Sequence, residues 1–309
     1  MFDDTTGTNM KETICAIILT KNEDIHLIRV LDQLSRVMDN ILIVDSGSTD
    51  QTFEIAKQYK CDFIFNEWKN HATQFNFGIN YLKNKYNWII RVDADEYFND
   101  TDILAQLVNR IKNGNYKTIN GISFYRRIYF LGYRIRYGGV FPISVLRLFR
   151  SQYGMCEKRW MDEHIVVSGK IIHENLTIID DNKMGFEFWL NKHIGYAKRE
   201  AIEMLFIEHG LTSNNEKFKH SLQTGTKRKI KEKYYSKLPL FFRAILYFFY
   251  RYLLRLGFLD GKIGFVYHFF HAFWYRMVVD LFISRVKLLV KIKDVNIKNA
   301  IKEVLQIDA

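Results

Sequence analysis

Three acidic residues stand in four consecutive positions of the stretch WIIRVDADEYF, directly after an apolar run. Asp93 and Asp95 are separated by one residue, so both carboxylates can turn toward one ion where the chain leaves the regular pleat of a strand. Hard cations such as Mg²⁺ or Mn²⁺ prefer oxygen ligands and often bridge them to phosphates. An ordinary acidic turn is the competing interpretation, and Glu96, to which no role is assigned, is expected to point to solvent.

Two more polar groups follow apolar runs that predict buried strands. Asp45 ends such a run in LIVDSGSTDQT, where the small residues after it would let a ligand approach the backbone closely. Thr20, Asn22 and Glu23 lie at the end of an earlier run, in LTKNED. These side chains could bind a base or a ribose, whereas a helix N-cap cluster is the alternative for the Asp45 turn.

The elements that would position these residues alternate along the first hundred residues. Apolar runs within residues 13–20, 40–50 (ending in a Gly/Ser turn), 61–68 and 88–98 predict strands, and segments with apolar residues at helical spacing separate them. This alternation favours a parallel sheet covered by helices, which binds ligands at the carboxyl ends of its strands. From about residue 120 the pattern changes to Arg-containing runs typical of antiparallel or edge strands, and a helix is predicted in KMGFEFWLNKHIGYAKREAIEML.

Composition and charge narrow the class of protein. The chain has 309 residues, 48% of them apolar, which is enough for a large core and excludes general disorder. Its three widely spaced cysteines indicate a reducing compartment without a disulfide framework or a zinc site. The formal net charge is +11, and it resides in residues 227–309, which contain 17 Lys and Arg against 6 Asp and Glu. A neutral body with a basic, aromatic tail suggests an anionic surface as partner.

The tail is predicted to form helices that lie in the plane of a membrane surface. Residues 238–258 are interrupted by three arginines, and residues 263–283 contain His268, Arg276 and Asp280. Charges at a helix centre cost about 3 kcal/mol each on insertion, so spans are disfavoured. The alternative is that these helices pack on the domain or on a second subunit. The polar, acidic N-terminus shows no secretory signal, so we expect the cytoplasmic side of the plasma membrane.

The blocks AIILTKNE, LIVDSGSTDQT, QFNFGI and IIRVDADEYF, in this order and spacing, resemble the nucleotide-sugar-binding half of family-2 glycosyltransferases. The later blocks RYGGVFPISVLRLFR, RWMDEHIVVSGKIIHENL, WLNKHIGYAKREA and GFLDGKIGFVYHFFHAFWYR extend the resemblance over nearly the whole chain after the first dozen residues. They look like bacterial members that build lipopolysaccharide core, capsule or O-antigen. The resemblance implies an α/β GT-A fold, a Rossmann-like, mostly parallel sheet flanked by helices, with a C-terminal amphipathic helical region.

The resemblance also implies roles for matching positions. The nucleotide sugar would be bound by Thr20, Asn22, Glu23, Asp45, Gln74, Asn76, Asp93 and Ala94. A divalent cation, Mg²⁺ or Mn²⁺, would be held by Asp95, with Asp93 and His173 as further ligands; a structural histidine is the alternative for His173. The base that deprotonates the acceptor would be Glu163, with Asp162 as the second candidate. An ion pair with Arg147 or Arg159 is the alternative role for either carboxylate.

One departure from the family concerns the diphosphate contacts. Many members have Arg-Asn in the third-helix block, where this chain has Phe75 and Asn76. Gln74, Asn76 or an arginine from elsewhere would have to serve instead, and Lys69, Arg136 and the turn 137–139 are further candidates. The predicted helix that carries Lys192 and His193 would border the acceptor site, or would simply pack on the domain.

The sequence therefore predicts three parts, a flexible N-terminus (1–12), a GT-A domain (13–226, divided near residue 100 into nucleotide-sugar and acceptor halves) and a membrane-associating tail (227–309). The expected activity is inverting, metal-dependent transfer of a sugar from a nucleotide-sugar donor to a glycan or lipid-linked acceptor. Peripheral binding to the inner face of the plasma membrane is expected, and a homo-oligomer through the C-terminal helices stays open. A non-catalytic nucleotide-binding module is the main alternative, and nucleic-acid binding is disfavoured because no recognition motif appears.

Overall fold

The computed structural model describes residues 11–157, 160, 161, 163–211, 235 and 238–307. The first half alternates strands with helices: β1 (Ile14–Thr20), α1 (Asp24–Leu34), β2 (Ile41–Asp45), α2 (Thr52–Gln58), β3 (Asp62–Phe65), α3 (His71–Leu82), β4 (Trp88–Arg91), β5 (Glu96–Phe98) and α4 (Thr101–Lys112). Strands then dominate, with β6 (Gly121–Phe130), β7 (Tyr133–Ile135), β8 (Ile143–Arg150), β9 (Gly154–Cys156), β10 (Ile165–Val167) and β11 (Ile171–Asp180), before the long helix α5 (Gly185–Glu208).

A nine-stranded sheet organises the described chain, in the order β3-β2-β1-β4-β8-β6-β11-β5 with β7 paired to β6. The strands β1 to β4 are parallel, and β8 joins β4 to β6 by antiparallel pairing on both sides. Strands β1 and β2 are almost entirely buried because helices cover both faces of this part of the sheet, which is why they appear in the sequence as continuous apolar runs. The predicted α/β class and helix-flanked sheet are confirmed.

The fourth predicted strand is wrong in its extent. The sequence predicts one strand from Trp88 to Phe98, but β4 ends at Arg91 and the acidic residues form a turn. The chain then forms β5 at the other edge of the sheet, where Glu96 pairs with Asp180 of β11 in antiparallel register. The acidic motif therefore links two distant strands.

Four α-helices follow in the described part of the C-terminal region: α6 (Phe242–Phe249), α7 (Gly261–His268), α8 (Tyr275–Lys293) and α9 (Ile297–Leu305). A π-helical segment (Tyr250–Leu254) continues α6, a second one (Phe269–Trp274) joins α7 to α8, and a short 3-10 helix (Gly257–Asp260) precedes α7. Helix α8 packs against α5 and α9 in a separate core that includes Ala201, Leu205, Val279 and Ile301. The predicted domain boundary near residue 226 lies outside the described residues, as does most of the predicted flexible N-terminus.

Charges that interrupt the tail in the sequence lie inside the folded helices. Arg243 Nε donates to Asp280 Oδ1 at 2.8 Å, and both side chains are buried. Arg276 pairs with Glu200 of α5. Among the described helices, none is both long enough and apolar enough to cross a bilayer. The alternative that the tail helices pack on the domain thus holds for these charges, while many apolar side chains of α6 and of the π-helical segment after it remain exposed.

Candidate active site at the carboxyl ends of the strands

Asp45 organises the turn that follows β2. Its Oδ1 accepts from the backbone N–H groups of Gly47 and Ser48 at 2.7 and 2.8 Å. Its Oδ2 accepts from the hydroxyls of Thr20 (2.8 Å) and Ser48 (2.5 Å). Gly47 has a φ of +92°, which a residue with a side chain rarely adopts. The predicted nucleoside-binding residues Thr20 and Asp45 are thus joined in one buried cluster that shapes the rim of the sheet.

The loop after β1 is fixed against the same turn. Asn22 has a left-handed φ of 55°, and its Oδ1 accepts from Thr49 N at 2.8 Å. Glu23 Oε2 lies 2.6 Å from His26 Nδ1, while His26 Nε2 accepts from Lys183 N at 2.8 Å. Glu23 is thereby connected to the segment just before α5.

Gln74 and Asn76 on α3 bind the protein itself. Gln74 is 1% exposed and accepts from Asn66 Nδ2 at 2.7 Å. Asn76 forms two 2.8 Å hydrogen bonds with the backbone of Cys156, which fasten β9 to α3. The amide groups proposed as substitutes for the missing arginine therefore hold neighbouring segments in place.

Two arginines enclose Asp93. Arg91 Nε donates to Asp93 Oδ1 at 2.8 Å, and Arg147 Nη2 donates to Oδ2 at 3.1 Å. Burial opposes ionisation of Asp93, but Arg147 and Arg91 outweigh it and hold its pKa well below the usual range.

Arg147 also pairs with Glu96, which is 1% exposed, so the expectation that Glu96 points to solvent is wrong. Burial raises the pKa of Glu96 to about 7; Arg147 opposes this rise and the charge of Asp93 adds to it.

Removal of Arg147 should destabilise the protein, because it would leave Glu96 buried without its cation. We expect Arg147→Met to lower the free energy of unfolding by about 3–5 kcal/mol, the cost typical of breaking a buried pair from one side. Urea unfolding followed by circular dichroism measures this change.

Two further variants complete that experiment. Arg110→Met removes the partly exposed pair with Glu174 and should cost at most about 1 kcal/mol. Adding Glu96→Gln to Arg147→Met should restore part of the loss, since the stranded carboxylate is then neutral. Equal losses for Arg147→Met and Arg110→Met would contradict a buried role for this arginine.

Asp95 has a different environment from Asp93. Its Oδ2 accepts from Asn182 Nδ2 at 3.0 Å and lies 3.8 Å from Lys192 Nζ. Its Oδ1 forms no hydrogen bond or ion pair with any residue that the structure describes. Arg29 Nη2 donates to the carbonyl oxygen of Asp95 at 3.0 Å and so fixes the backbone of the turn. Asp95 is the aspartate of the motif that has one oxygen without a described hydrogen-bond partner.

Lys192 brings a positive charge to this carboxylate. It lies on α5, and its side chain is 37% exposed. Burial lowers the pKa of Lys192, but Tyr196, Asp95, Asp180 and Glu23 outweigh it and raise the pKa above its usual value. The ammonium is therefore charged at neutral pH and lies within electrostatic range of both Asp95 and Glu23.

The residues around Asp95 fit a metal that takes most of its ligands from elsewhere. Among the described residues, no three His, Cys, Asp or Glu side chains are grouped so that they could hold an ion. Mg²⁺ commonly keeps several waters and binds one or two carboxylates together with substrate phosphates, which suits a single carboxylate oxygen without a protein partner.

His173 does not lie beside Asp95. It lies seven residues before Asp180 on β11, roughly 20 Å along an extended strand, between the hydroxyls of Ser123 and Ser144.

Glu163 lies in the β9–β10 hairpin, just before β10. Burial raises the pKa of the neighbouring Cys156 thiol to about 12; Arg91 opposes the rise, while Glu163, Glu157 and Asp93 add to it. The thiol thus lies within electrostatic range of both Glu163 and Asp93, on the α3 side of the sheet. The second base candidate, Asp162, falls outside the described residues.

The sequence analysis did not assign partners to Asp93, Asp95 and Glu96. Arg91 lies two residues before Asp93, and its charge was the available signal. Arg147, considered as an ion-pair partner of Glu163 or Asp162, contacts Asp93 and Glu96 instead, and Asn182 contacts Asp95. Both come from distant segments that only folding brings to the motif. Lys192 was placed on a helix near the acceptor site, whereas the structure puts its ammonium beside Asp95.

Comparison with known proteins identifies relatives of this chain. The family model described as "Glycosyl transferase family 2" matches residues 15–169, half of the chain, including Asp95 and Glu163. LpsC of Rhizobium meliloti, a lipopolysaccharide core biosynthesis glycosyltransferase, is 28% identical over 169 residues, covering 52% of this chain and 60% of LpsC. An uncharacterized glycosyltransferase of Rickettsia felis is 36% identical over 85 residues, 28% of this chain and 29% of the relative. Both matches span less than two thirds of the relative's own length.

Two solved structures are similar in part. Glucosyl-3-phosphoglycerate synthase from Mycobacterium tuberculosis, crystallised with Mn²⁺, uridine diphosphate and glucosyl-3-phosphoglycerate, is 18% identical with a TM-score of 0.32, covering 38% of this chain and 44% of that one. Another mycobacterial protein is 13% identical with a TM-score of 0.43, covering 65% and 76% of the two chains.

Proposed function

Because the chain belongs to glycosyl transferase family 2, we propose that it is an inverting, metal-dependent glycosyltransferase that moves a hexose from a nucleotide-sugar donor. The acceptor is a glycan or lipid-linked molecule of lipopolysaccharide or capsule synthesis, and the similarity to LpsC supports the lipopolysaccharide class. The observation that carries the proposal is the convergence of Asp95, Lys192 and Glu23 where parallel strands end.

The donor's diphosphate would lie against Asp95 and Lys192. A bound Mg²⁺ or Mn²⁺ would neutralise negative charge on the leaving nucleoside diphosphate. Lys192 adds a fixed positive charge beside that position, where charge increases as the glycosidic bond breaks. Arg29 holds the backbone of the Asp95 turn, so this carboxylate is positioned before the donor arrives.

The acceptor hydroxyl would lose its proton to Glu163 as it attacks the anomeric carbon. A single displacement then gives a β-linked product from an α-linked donor. The hydrogen bonds between Asn76 and Cys156 anchor the β9–β10 hairpin on α3 and thereby fix the position of this carboxylate. A general base positioned in this way contributes about 10²–10⁴-fold to a rate.

Lys192→Met tests the contribution of the ammonium to the leaving group. We expect kcat to fall by about 10- to 100-fold with a smaller change in donor KM, because the charge acts mainly as the bond breaks. Lys198→Met is the matched control on α5; Lys198 donates to the carbonyl of Leu305, away from Asp95, and its loss should leave kcat unchanged. A rise in donor KM without a loss of kcat would contradict this role.

A donor screen tests the proposed function directly. Nucleoside diphosphate release is measured for each nucleotide sugar with Mn²⁺ or Mg²⁺ and a membrane extract as the source of acceptor. Metal-dependent turnover of one donor supports the enzyme. If every donor fails and substitutions at Asp95 or Glu163 change nothing, the non-catalytic nucleotide-binding module becomes the better account.

The proposed location is the cytoplasmic side of the plasma membrane, where the chain would bind peripherally. The exposed apolar side chains of the C-terminal region and its excess positive charge support this location. A homo-oligomer through the same helices is the competing use of this surface.

A further inference from the structure

A cleft rich in arginine lies where β7 and the loop after it meet the end of the π-helical segment that continues α6. Its volume is about 310 Å³, and its lining includes Arg136, Tyr137, Phe141 and Arg255. A second cleft of about 480 Å³ adjoins it and shares Arg136, with Arg134 on its wall. We call these two spaces together the arginine cleft.

The backbone of the arginine cleft is fixed. Gly138 N donates to the carbonyl oxygen of Arg255 at 2.8 Å, and Arg251 Nε donates to the carbonyl oxygen of Gly138 at 2.8 Å. Asp260 also lines the cleft, but its carboxylate accepts from the backbone N–H groups of Arg136 and Tyr137 at 2.9–3.2 Å. The one acidic residue in the described lining therefore forms hydrogen bonds with the backbone of the cleft wall.

The arginines of the cleft form no ion pairs. Within the described part of the chain, none is formed by Arg134, Arg136 or Arg255, nor by Arg127, which lies beside the cleft. Arg127 and Arg134 both lie over the ring of Phe141, at 5.6 and 5.4 Å. Burial and the charges of Arg127 and Arg136 lower the pKa of Arg134 and outweigh Tyr129 and Asp260, which raise it. Such a group is suited to an anion with several oxygen atoms.

Apolar side chains surround the arginine cleft and face outward. Leu254 is 76% exposed, Leu259 51% and Leu256 46%. The exposed face of α6 continues this surface, with Phe242 and Phe249 about half exposed. A soluble anion would gain nothing from such a rim, whereas a lipid presents a phosphate and hydrocarbon together.

We propose that the arginine cleft binds the phosphate groups of anionic lipids while the surrounding leucines enter the bilayer. A second copy of this chain is a poorer occupant, because a two-fold interface here would place the same arginines against one another. The proposal deepens the proposed function and rests on it for the lipid-linked acceptor, but lipid binding is measured without donor. The two can therefore fail separately.

Flotation of the full chain with vesicles tests the proposal. Wild-type protein should float with phosphatidylcholine–phosphatidylglycerol vesicles and much less with phosphatidylcholine alone. The triple variant Arg134→Gln, Arg136→Gln, Arg255→Gln should partition about 100-fold more weakly into the anionic vesicles. The control triple Arg36→Gln, Lys57→Gln, Lys117→Gln removes the same charge from exposed positions elsewhere and should float like the wild type.

Leu254→Asn keeps every charge and tests the apolar rim. Its partition into the anionic vesicles should fall by about 10-fold, and unchanged flotation would overturn a bilayer as the occupant.

The proposal is also overturned if wild-type protein does not float, if both triple variants lose binding equally, or if the arginine variant changes the oligomeric state instead. Circular dichroism melting of each variant confirms that it is folded. Loss of donor turnover with intact flotation would remove the proposed function and leave the lipid site standing.

Discussion

Asp95→Asn is expected to lower kcat by about 10²–10³-fold, the range found when a group that stabilises transition-state charge is lost. Asparagine keeps the shape of the side chain and can still accept from Asn182, so the turn should remain folded. What it loses is the negative charge on the one oxygen of the motif that faces no described partner. The measurement is nucleoside diphosphate release over a Mn²⁺ titration.

The metal dependence separates this role from a structural one. Chelation with EDTA should abolish wild-type turnover, and Mn²⁺ should restore it. For Asp95→Asn, the concentration of Mn²⁺ needed for half-maximal turnover should rise by at least about 10-fold, because a neutral amide is a weaker ligand for a hard cation. Asp39→Asn, a change of an exposed aspartate away from the site, should behave like the wild type. Unaltered turnover and Mn²⁺ dependence for Asp95→Asn would remove Asp95 as a ligand.

The contrast between Asp93 and Asp95 could not be read from the sequence. The spacing of the motif allows both carboxylates to turn toward one ion, yet Asp93 pairs with Arg91 and Arg147 while one oxygen of Asp95 has no described partner. The difference arises because Arg147 enters from β8, more than fifty residues further along the chain. A local sequence pattern cannot predict a contact between residues so far apart in the chain.

The strands that carry the site were predictable for a simple physical reason. Residues 14–20 and 41–45 are buried on both faces, so nearly every side chain is apolar and the run ends where polar groups meet solvent or ligand. Strand β5 has only three residues and is stabilised by pairing with β11, so it appears in the sequence as a continuation of β4. Short elements fixed by distant pairing carry little local signal.

The partners of charged residues in the C-terminal tail were also not predictable from the sequence. In the sequence, Arg243 and Asp280 interrupt apolar helices and favour helices that lie in the plane of a membrane surface. In the structure they are buried against each other, and the solvent-facing side of α6 is the apolar one. Hydrophobic periodicity assumes that charge marks the exposed face, and a buried ion pair reverses that assumption.

Glu163→Gln is expected to lower kcat by about 10³-fold while leaving donor KM nearly unchanged. Glutamine has almost the same size but cannot accept the proton of the acceptor hydroxyl. In the proposed arrangement the donor's diphosphate would lie against Asp95 and Lys192, so its binding should not depend on this side chain. Steady-state kinetics with a fixed acceptor and varied donor measure both parameters.

Glu157→Gln and Asp162→Asn accompany Glu163→Gln. Glu157 lies in the same hairpin and accepts from the backbone N–H of His164, so its variant reports on disturbance of the loop alone. A general base lost at Glu163 should remove the acidic limb of the kcat–pH profile, whereas a loosened hairpin should lower kcat equally at every pH. If Asp162→Asn removes that limb and Glu163→Gln does not, the base is Asp162. The profile thus decides between two neighbouring carboxylates that sequence spacing alone cannot separate.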